Sequence, residues 1–247
     1  MIFFKKKTVT LSDLIPKGYV DIHSHLLPGI DDGSKNIYQT TKLVKMLNEI
    51  GVEHFITTPH VMDDVWPNTT DRINNKLIET ANLLKTFKIN FSSFSAAAEY
   101  MIDDLFLKRL QKNDLLTIGE DYLLVEMSTF NPPINILEII FEMKLAGYKP
   151  ILAHPERYGY YFNKYKMYND LKKAGCFFQV NLLSLTDYYG AQVQDTAFKL
   201  LSDNLIDFTG TDAHNERQIN KLKDLIPNKE VNQIEKCLSA NSIFCTS

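Results

Sequence analysis

Short apolar runs recur along this chain, separated by stretches in which apolar residues return every three or four positions. The runs near Tyr19 to His23, His54 to Thr57, Phe91 to Ala98, Tyr122 to Glu126, Lys149 to Ala153, Phe177 to Asn181 and Asp207 to Gly210 have the length and content of buried strands. Helical spacing covers about Ile37 to Ile50, Thr70 to Phe87, Leu105 to Gln111, Ile134 to Ala146, Tyr165 to Ala174 and Gln192 to Asp203, and Val231 to Leu238 reads as a closing helix. Leu43, Met46, Leu47 and Ile50 align as one buried helix face, and Leu137, Ile140, Phe141 and Leu145 as another. Strands that alternate with helices pair in parallel through right-handed crossovers. Polar residues gather at the carboxyl ends of these otherwise apolar strands, which favours closure into an α/β barrel of the TIM type over an open sheet.

No internal repeat, low-complexity tract or linker supports a second domain in the 247 residues. The expected division is an N-terminal extension over residues 1–18 and one barrel domain over 19–247. Hydrophobic content of 45% and charged content of 23% are those of an ordinary globular protein. A formal net charge of −3 offers no general attraction for nucleic acid or an anionic membrane, so an anionic substrate must meet a local group of cations. Cys176, Cys237 and Cys245 are odd in number and widely spaced, against a disulfide framework or a thiolate zinc site and in favour of a reducing, cytoplasmic setting. Met1 to Lys7 places cations after a few apolar residues with no cleavage site, so it reads as a frayed or surface-docked tip, or a weak partner or membrane contact, rather than a secretory signal. Nothing elsewhere approaches the roughly 20 apolar residues needed to span a bilayer.

Chemistry enters at the strand ends. His23 and His25, two positions apart after an apolar run, point their imidazoles to one side, which is half of a metal site. Runs ending at His60, Glu99, Glu126, His154 and at Asp212 with His214 repeat the plan, and Asp32 follows the first pair in Asp31-Asp32-Gly33. His23, His25, Asp32, His60, Glu99, Glu126, His154, Asp212 and His214 are therefore the candidate ligands. Imidazole with carboxylate and no thiolate suits zinc, iron or manganese in a catalytic role. One ion needs only three or four ligands, so this set implies two or three ions close together, able to lower the pKa of a bound water and to clamp phosphate oxygens. Asp31 reads as a turn residue, and His54 opens its strand and is left out.

Arg157 and Arg217 each lie three residues beyond a presumed histidine ligand, His154 and His214. A guanidinium presents a planar fork of donors that matches phosphate oxygens. The aromatic run Tyr158, Tyr160, Tyr161, Phe162, Tyr165 and Tyr168 has two readings, a rim for an aromatic substrate or packing between a loop and the next helix. No cysteine is followed by an arginine at the spacing of a thiol-phosphate loop.

Asp21-Ile22-His23-Ser24-His25 with Asp31-Asp32-Gly33, and then Thr58-Pro59-His60, Ala98-Glu99-Tyr100, Val125-Glu126-Met127-Ser128, Ala153-His154-Pro155-Glu156-Arg157-Tyr158 and Asp212-Ala213-His214-Asn215, resemble in order the motifs of the PHP superfamily of metal-dependent phosphatases. Within it the chain is most similar to bacterial tyrosine-protein phosphatases of the CpsB/YwqE type, over about Tyr19 to Ile226. The resemblance implies a distorted (β/α)7 barrel, a trinuclear centre commonly loaded with manganese, a hydroxide held between ions as nucleophile, and Arg157 and Arg217 as phosphate ligands. It also implies a partner, a phosphotyrosine protein such as a tyrosine kinase of capsular or exopolysaccharide export. The chain departs from the family pattern in its first eighteen or so residues and in Thr211, where a serine is usual before the acid.

The expected activity is hydrolysis of protein phosphotyrosine, with His60 or a metal-bound water as the candidate general acid if one is used. Three alternatives stand beside it. A small-molecule phosphatase acting on histidinol phosphate would use the same ions. An amidohydrolase also opens with His-x-His, but uses a bridging lysine and a lone terminal aspartate where Glu126 and Asp212-Ala213-His214 stand here. A non-catalytic barrel that binds metal only to fold would not need to keep all these ligands.

Overall fold

In chain order the computed structural model, which describes residues 8–245, contains β1 (Thr8–Thr10), β2 (Tyr19–Asp21), α1 (Ile37–Asn48), β3 (Val52–Thr57), β4 (His60–Val61), α2 (Thr70–Thr86), β5 (Ser93–Ala96), β6 (Glu99–Met101) and α3 (Asp104–Lys112). It continues with β7 (Tyr122–Glu126), α4 (Ile136–Leu145), β8 (Lys149–Ala153), α5 (Lys166–Ala174), β9 (Phe177–Asn181), α6 (Ala191–Ser202), β10 (Phe208–Gly210), α7 (Glu216–Lys221), β11 (Leu225–Pro227) and α8 (Val231–Ala240). The first helices begin where a short polar side chain can accept from the orphan N–H groups of the first turn. The Asn36 side chain accepts from Gln39 N–H at 3.0 Å, Thr69 from Arg72 N–H at 3.1 Å and Asp103 from Phe106 N–H at 2.8 Å.

The strands pair in parallel in the orders β2-β3-β5 and β4-β6-β7-β8-β9-β10. Two of the expected strands are each followed, after a short break, by a further strand with no sequence counterpart, β4 after β3 across Thr58-Pro59 and β6 after β5 across Ala97-Ala98. Pro59 has no N–H to give a ladder, which explains the first break. The segments stay in step, because Ala97 N–H donates to Thr57 O at 3.0 Å and Glu99 N–H to Pro59 O at 3.1 Å. The result is a curled, mainly parallel sheet in a single mixed α/β unit. Its two ends approach beyond the strands themselves, where Asp212 N–H donates to His23 O at 2.7 Å and His25 N–H to Ala213 O at 3.0 Å.

Inside the curl, Val20, Ile22, Ile56, Ala97, Leu124, Ile151, Ala153 and Phe208 pack with Ile118 and Phe244 into a small apolar cluster. A larger layer between sheet and helices contains Leu43, Leu47, Phe55, Leu123, Val125, Leu152, Phe178 and Val180. Successive residues of β7 divide between the two layers, Leu123 and Val125 outward and Leu124 inward, as period-two alternation requires. Phe244 lies with its ring centroid 4.9 Å from that of Tyr122 and 5.0 Å from that of Phe208. Phe244→Ala is expected to cost about 3–5 kcal/mol in chemical denaturation, the range for emptying a buried phenyl site, and a change below about 1 kcal/mol would show that the inner cluster can do without this ring.

Three features were misread, left open or not anticipated in the sequence expectations. On α4 the buried residues are Ile136, Ile139, Ile140 and Met143, whereas Leu137, Phe141 and Leu145 are exposed. The helix is apolar on two stripes, and packing against β8 and α5 selects one of them, a choice periodicity cannot make. The aromatic run after His154 is packing and not a rim. Tyr158, Tyr161 and Tyr168 are buried, the Tyr158 hydroxyl donates to Ala153 O at 3.1 Å, and the Tyr160 hydroxyl donates to Ser128 O at 3.0 Å. Finally, α7, β1 and β11 had no sequence counterpart. β1 pairs antiparallel with β11, and Leu11 and Ile15 join the core, so the chain from Thr8 to Ile15 is built into the fold. The tip Met1 to Lys7 lies outside the described residues. All three cysteines are free, and among the described residues no helix is long and apolar enough to cross a membrane.

Candidate metal centre

All nine candidate ligands come together at the carboxyl ends of the strands. Their donor atoms form four overlapping groups, each within 4.8 Å: His25-Asp32-His60-His214, His23-His154-Asp212, His23-His25-Glu99 and His60-Glu99-Glu126. Glu99 stands between them, its Oε2 lying 3.2 Å from His23 Nε2, 3.4 Å from His25 Nε2 and 3.1 Å from His60 Nδ1, while its Oε1 is 3.0 Å from His154 Nε2. Asp212 Oδ1 is 3.5 Å from His23 Nε2 and 3.4 Å from His25 Nε2. His60 and His214 both approach Asp32 Oδ1 at 3.5 Å, on the solvent side. His54, left out of the set, pairs with the Ser93 hydroxyl at 2.9 Å.

The chemistry of this donor set fits divalent cations. His23 Nε2, His25 Nε2, His60 Nδ1, Glu99 Oε2, Glu126 Oε1 and His154 Nδ1 are buried and have no hydrogen-bond partner. Buried polar atoms are almost always paired, so so many orphans in one place call for a charged occupant. Burial alone would raise the Glu99 carboxyl, but His23 and His60 hold it well below its ordinary value, as His23 and His214 do for Asp212. Asp32 is drawn down to about 2, chiefly by its hydrogen bond to His214. Burial would lower His60, yet the nearby carboxylates of Glu99 and Glu126 carry it up to about 9. In the ion-free protein His60 is thus protonated at neutral pH, and that proton must leave when a cation takes its nitrogen.

The local sequence explains why these groups can approach so closely. A Cβ at Gly33 would lie 2.3 Å from His25 O and 2.4 Å from His25 Cβ, and one at Gly210 would lie 2.6 Å from His23 Cβ. Only glycine lets the chain at these two positions press against the histidine pair. His154 and Asp212 themselves have left-handed backbones, with φ of 36° and 51°, strain that the surrounding fold must hold in place.

Several residues of the site carried no sequence expectation. Gln179 Oε1 accepts from His23 Nδ1–H at 2.7 Å, and Gln179 Nε2 donates to Asn181 Oδ1 at 3.0 Å. Asn181 Nδ2 in turn donates to Asp212 Oδ2 at 2.6 Å. Gln179 and Asn181 repeat the two-residue spacing of His23 and His25 at the end of β9, a signal that was present but belongs to common uncharged residues. Asp31, read from sequence as a turn residue, is buried. Its Oδ2 accepts from His25 Nδ1–H at 2.8 Å and from His60 N–H at 3.2 Å, and its Oδ1 accepts from Gly33 N–H at 3.0 Å. These bonds fix the two rings and direct the Nε2 atoms of His23 and His25 at the centre. Asp31→Asn is expected to lower metal affinity about 10–100-fold with the fold intact, as loss of a histidine's outer partner does. Metal titration of the purified variant checks this, and unchanged affinity would leave Asp31 as the turn residue its sequence suggests.

A cavity of about 540 Å³ opens onto the cluster, lined among others by Asp32, His60, Glu126, His154, Arg157 and Asp212, with Phe130, Tyr188 and Tyr189 farther out. Arg157 Nη1 donates to Asp212 Oδ2 at 3.1 Å, so this guanidinium is tied directly to a candidate ligand. Arg217 is placed differently. It is exposed on α7 outside the residues that line the cavity, its guanidinium 5.8 Å from the Tyr188 ring centroid.

Known proteins are similar to this chain over most of its length. YwqE of Bacillus subtilis, a tyrosine-protein phosphatase, is 27% identical over 81% of this chain and 79% of its own. A relative from Staphylococcus aureus named CapC is 29% identical over 79% of this chain and 76% of its own. A solved structure from a study of YwqE and of CpsB from Streptococcus pneumoniae, described as metal-dependent tyrosine phosphatases, superposes with a TM-score of 0.76 at 26% identity, covering 88% of this chain and 86% of that one. The family described as "Capsular polysaccharide synthesis, CpsB/CapC" matches residues 19–238, and the chain belongs to the CpsB/CapC family.

Proposed function

We propose that this protein is a metal-dependent protein-tyrosine phosphatase. The observation that carries the reading is the convergence of nine imidazole and carboxylate groups, several with orphaned buried donor atoms, beneath a cavity into which Arg157 projects. We read the fold as a distorted seven-stave barrel, with β3–β4 and β5–β6 each counting as one stave, and the site as holding two or three divalent ions, manganese first and iron or zinc next. Such ions would lower the pKa of bound water and offset charge on phosphate oxygens.

The remaining chemistry belongs to the chain's own residues. Gln179 and Asp31 hold the tautomers of His23 and His25. Asp212 and Asn181 orient Arg157, whose remaining donors match the equatorial oxygens of a phosphoryl group. A phenolate departs readily, so the reaction has little need of a strong general acid. Both ring nitrogens of His60 face carboxylates, Nδ1 at 3.0 Å from Glu126 Oε1 and Nε2 at 3.5 Å from Asp32 Oδ1, which favours an ion-holding role over proton delivery. Arg217, at the rim, would meet the phosphate only by moving inward.

The physiological substrate in this reading is phosphotyrosine on a cytoplasmic tyrosine kinase of polysaccharide export. The test offers purified protein a phosphotyrosine peptide and histidinol phosphate, with and without chelator, followed by added manganese. Metal-restored preference for the peptide is expected. Preference for histidinol phosphate would overturn the substrate assignment, and turnover indifferent to chelation would overturn the chemistry.

A further inference from the structure

Tyr188 and Tyr189, on the loop between β9 and α6, take no part in the ion site, yet both line the cavity above it and each lies against one of the two arginines. The Arg157 guanidinium stands 4.6 Å from the Tyr189 ring centroid, and that of Arg217 stands 5.8 Å from the Tyr188 ring centroid. The two tyrosine rings meet edge to face at 4.9 Å and 88°. The loop is braced at several points. Tyr188 N–H donates to Thr186 Oγ1 at 3.2 Å, Gly190 N–H donates to Asp187 O at 3.0 Å, and Asp187 pairs at 2.7 Å with Lys221 of α7, the helix that carries Arg217.

We infer that Tyr188 and Tyr189 form the wall that receives the aromatic ring of an aryl phosphate, and that they set the preference of this site for aryl over alkyl phosphate esters. The inference deepens the proposed phosphatase reading and rests on it for the position of the phosphate. Arg157 is held between the Asp212 carboxylate and the Tyr189 ring, so its donors are presented from the foot of this wall. An ester bound to those donors leaves the ion cluster along the tyrosine pair, with Phe130 also lining the space. A phenyl ring attached directly to the phosphate oxygen reaches the wall and stacks, whereas a serine or other alkyl chain is too thin to do so. Tyr189 has a second effect, since its ring face restrains a cation that would otherwise sample several rotamers. Both tyrosines are therefore specificity and positioning residues.

The experiment has a binding arm and a turnover arm, on the manganese-loaded full chain. Equilibrium binding of phenylphosphonate and methylphosphonate is compared for wild type, Tyr188→Leu, Tyr189→Leu and the two Tyr→Phe variants. Phosphotyrosine and phosphoserine forms of one peptide are then compared as substrates. Both leucine variants should lose about tenfold of the phenyl-over-methyl preference, in line with the worth of aromatic and cation–π contacts, and the loss in turnover should fall mainly on KM for the phosphotyrosine peptide. The phenylalanine variants, which keep the ring, should retain the preference. An unchanged preference in both leucine variants would overturn the inference, as would an equal loss in the phenylalanine variants. Wild-type binding preference without turnover of either peptide would instead overturn the phosphatase reading and leave the aryl wall standing. Bound manganese, measured for every variant, separates a change at the wall from a damaged fold.

Discussion

Glu99→Gln should abolish turnover of an aryl phosphate by at least about a thousandfold, on the order of 4 kcal/mol of transition-state stabilisation. The amide keeps the shape of the side chain and removes its charge. Glu99 belongs to two of the four ligand groups, and its two oxygens face four imidazoles at 3.0–3.4 Å. Replacing one oxygen with an NH2 group turns a donor toward atoms that must themselves coordinate a cation or carry a proton. The variant should bind less metal after dialysis, which distinguishes loss of the ions from loss of a proton-transfer group. Full metal content together with near-wild-type turnover would remove Glu99 from the centre and, with it, the reading of the cluster as one connected site. Because the carboxylate is fully buried and its neighbours outweigh the burial that would raise it, the ion-free variant should also be measured by thermal denaturation, to show that the fold survives.

The second large effect is expected at Arg157. Arg157→Lys should lower kcat/KM about a hundredfold while leaving bound metal unchanged, the size reported for removing one donor from a preorganised charge-stabilising site. Lysine keeps the charge but loses the planar fork, so it can pair with Asp212 or with a phosphate oxygen, not readily with both. Arg217→Lys should cost much less, because Arg217 is exposed at the rim and makes no bond to a candidate ligand in this conformation. Steady-state kinetics with p-nitrophenyl phosphate and metal analysis check both. Equal losses at the two arginines would show that Arg217 swings into the cavity during the reaction, and no loss at Arg157 would separate the guanidinium from the chemistry.

Much of the architecture was visible in local pattern. The helices at α1, α2 and α5 lie within a residue or two of their periodic signals, since apolar spacing, joined in α1 and α2 by a polar N-cap, acts over a single turn. Strands β7, β8 and β9 match their apolar runs for the same reason. The centre was legible in outline because its strongest members are rare residue types at strand ends, with His23-Ser24-His25 and Asp212-Ala213-His214 the clearest. Its supporting residues were not. Asp31, Gln179 and Asn181 are common types whose roles depend on which imidazole or carboxylate lies opposite them, at separations such as 156 residues between His23 and Gln179.

Elsewhere the local pattern was ambiguous or silent. α4 presents two apolar stripes, and only its contacts with β8 and α5 decide that Ile139 faces inward and Phe141 outward. The tyrosines after His154 form part of the core, while Tyr188 and Tyr189, which had attracted no notice, line the cavity. A tyrosine's sequence neighbours do not reveal which end of it meets solvent, because its ring and hydroxyl suit a core and a cleft equally well. The pairing of β1 with β11 joins segments too short to show a period.

The order of residues along this chain was therefore enough to predict alternating strands and helices and the nine imidazoles and carboxylates that converge at the strand ends, since these depend on side-chain type and on repeats of two or 3.6 residues. The meeting of the sheet's two ends, the face that α4 buries, the bonds that fix His23 and His25 and the placing of Tyr189 beside Arg157 depended on the folded chain. Each of these is a contact between segments far apart in sequence, selected by close packing and by the need to pair buried polar groups, and neither requirement leaves a periodic trace.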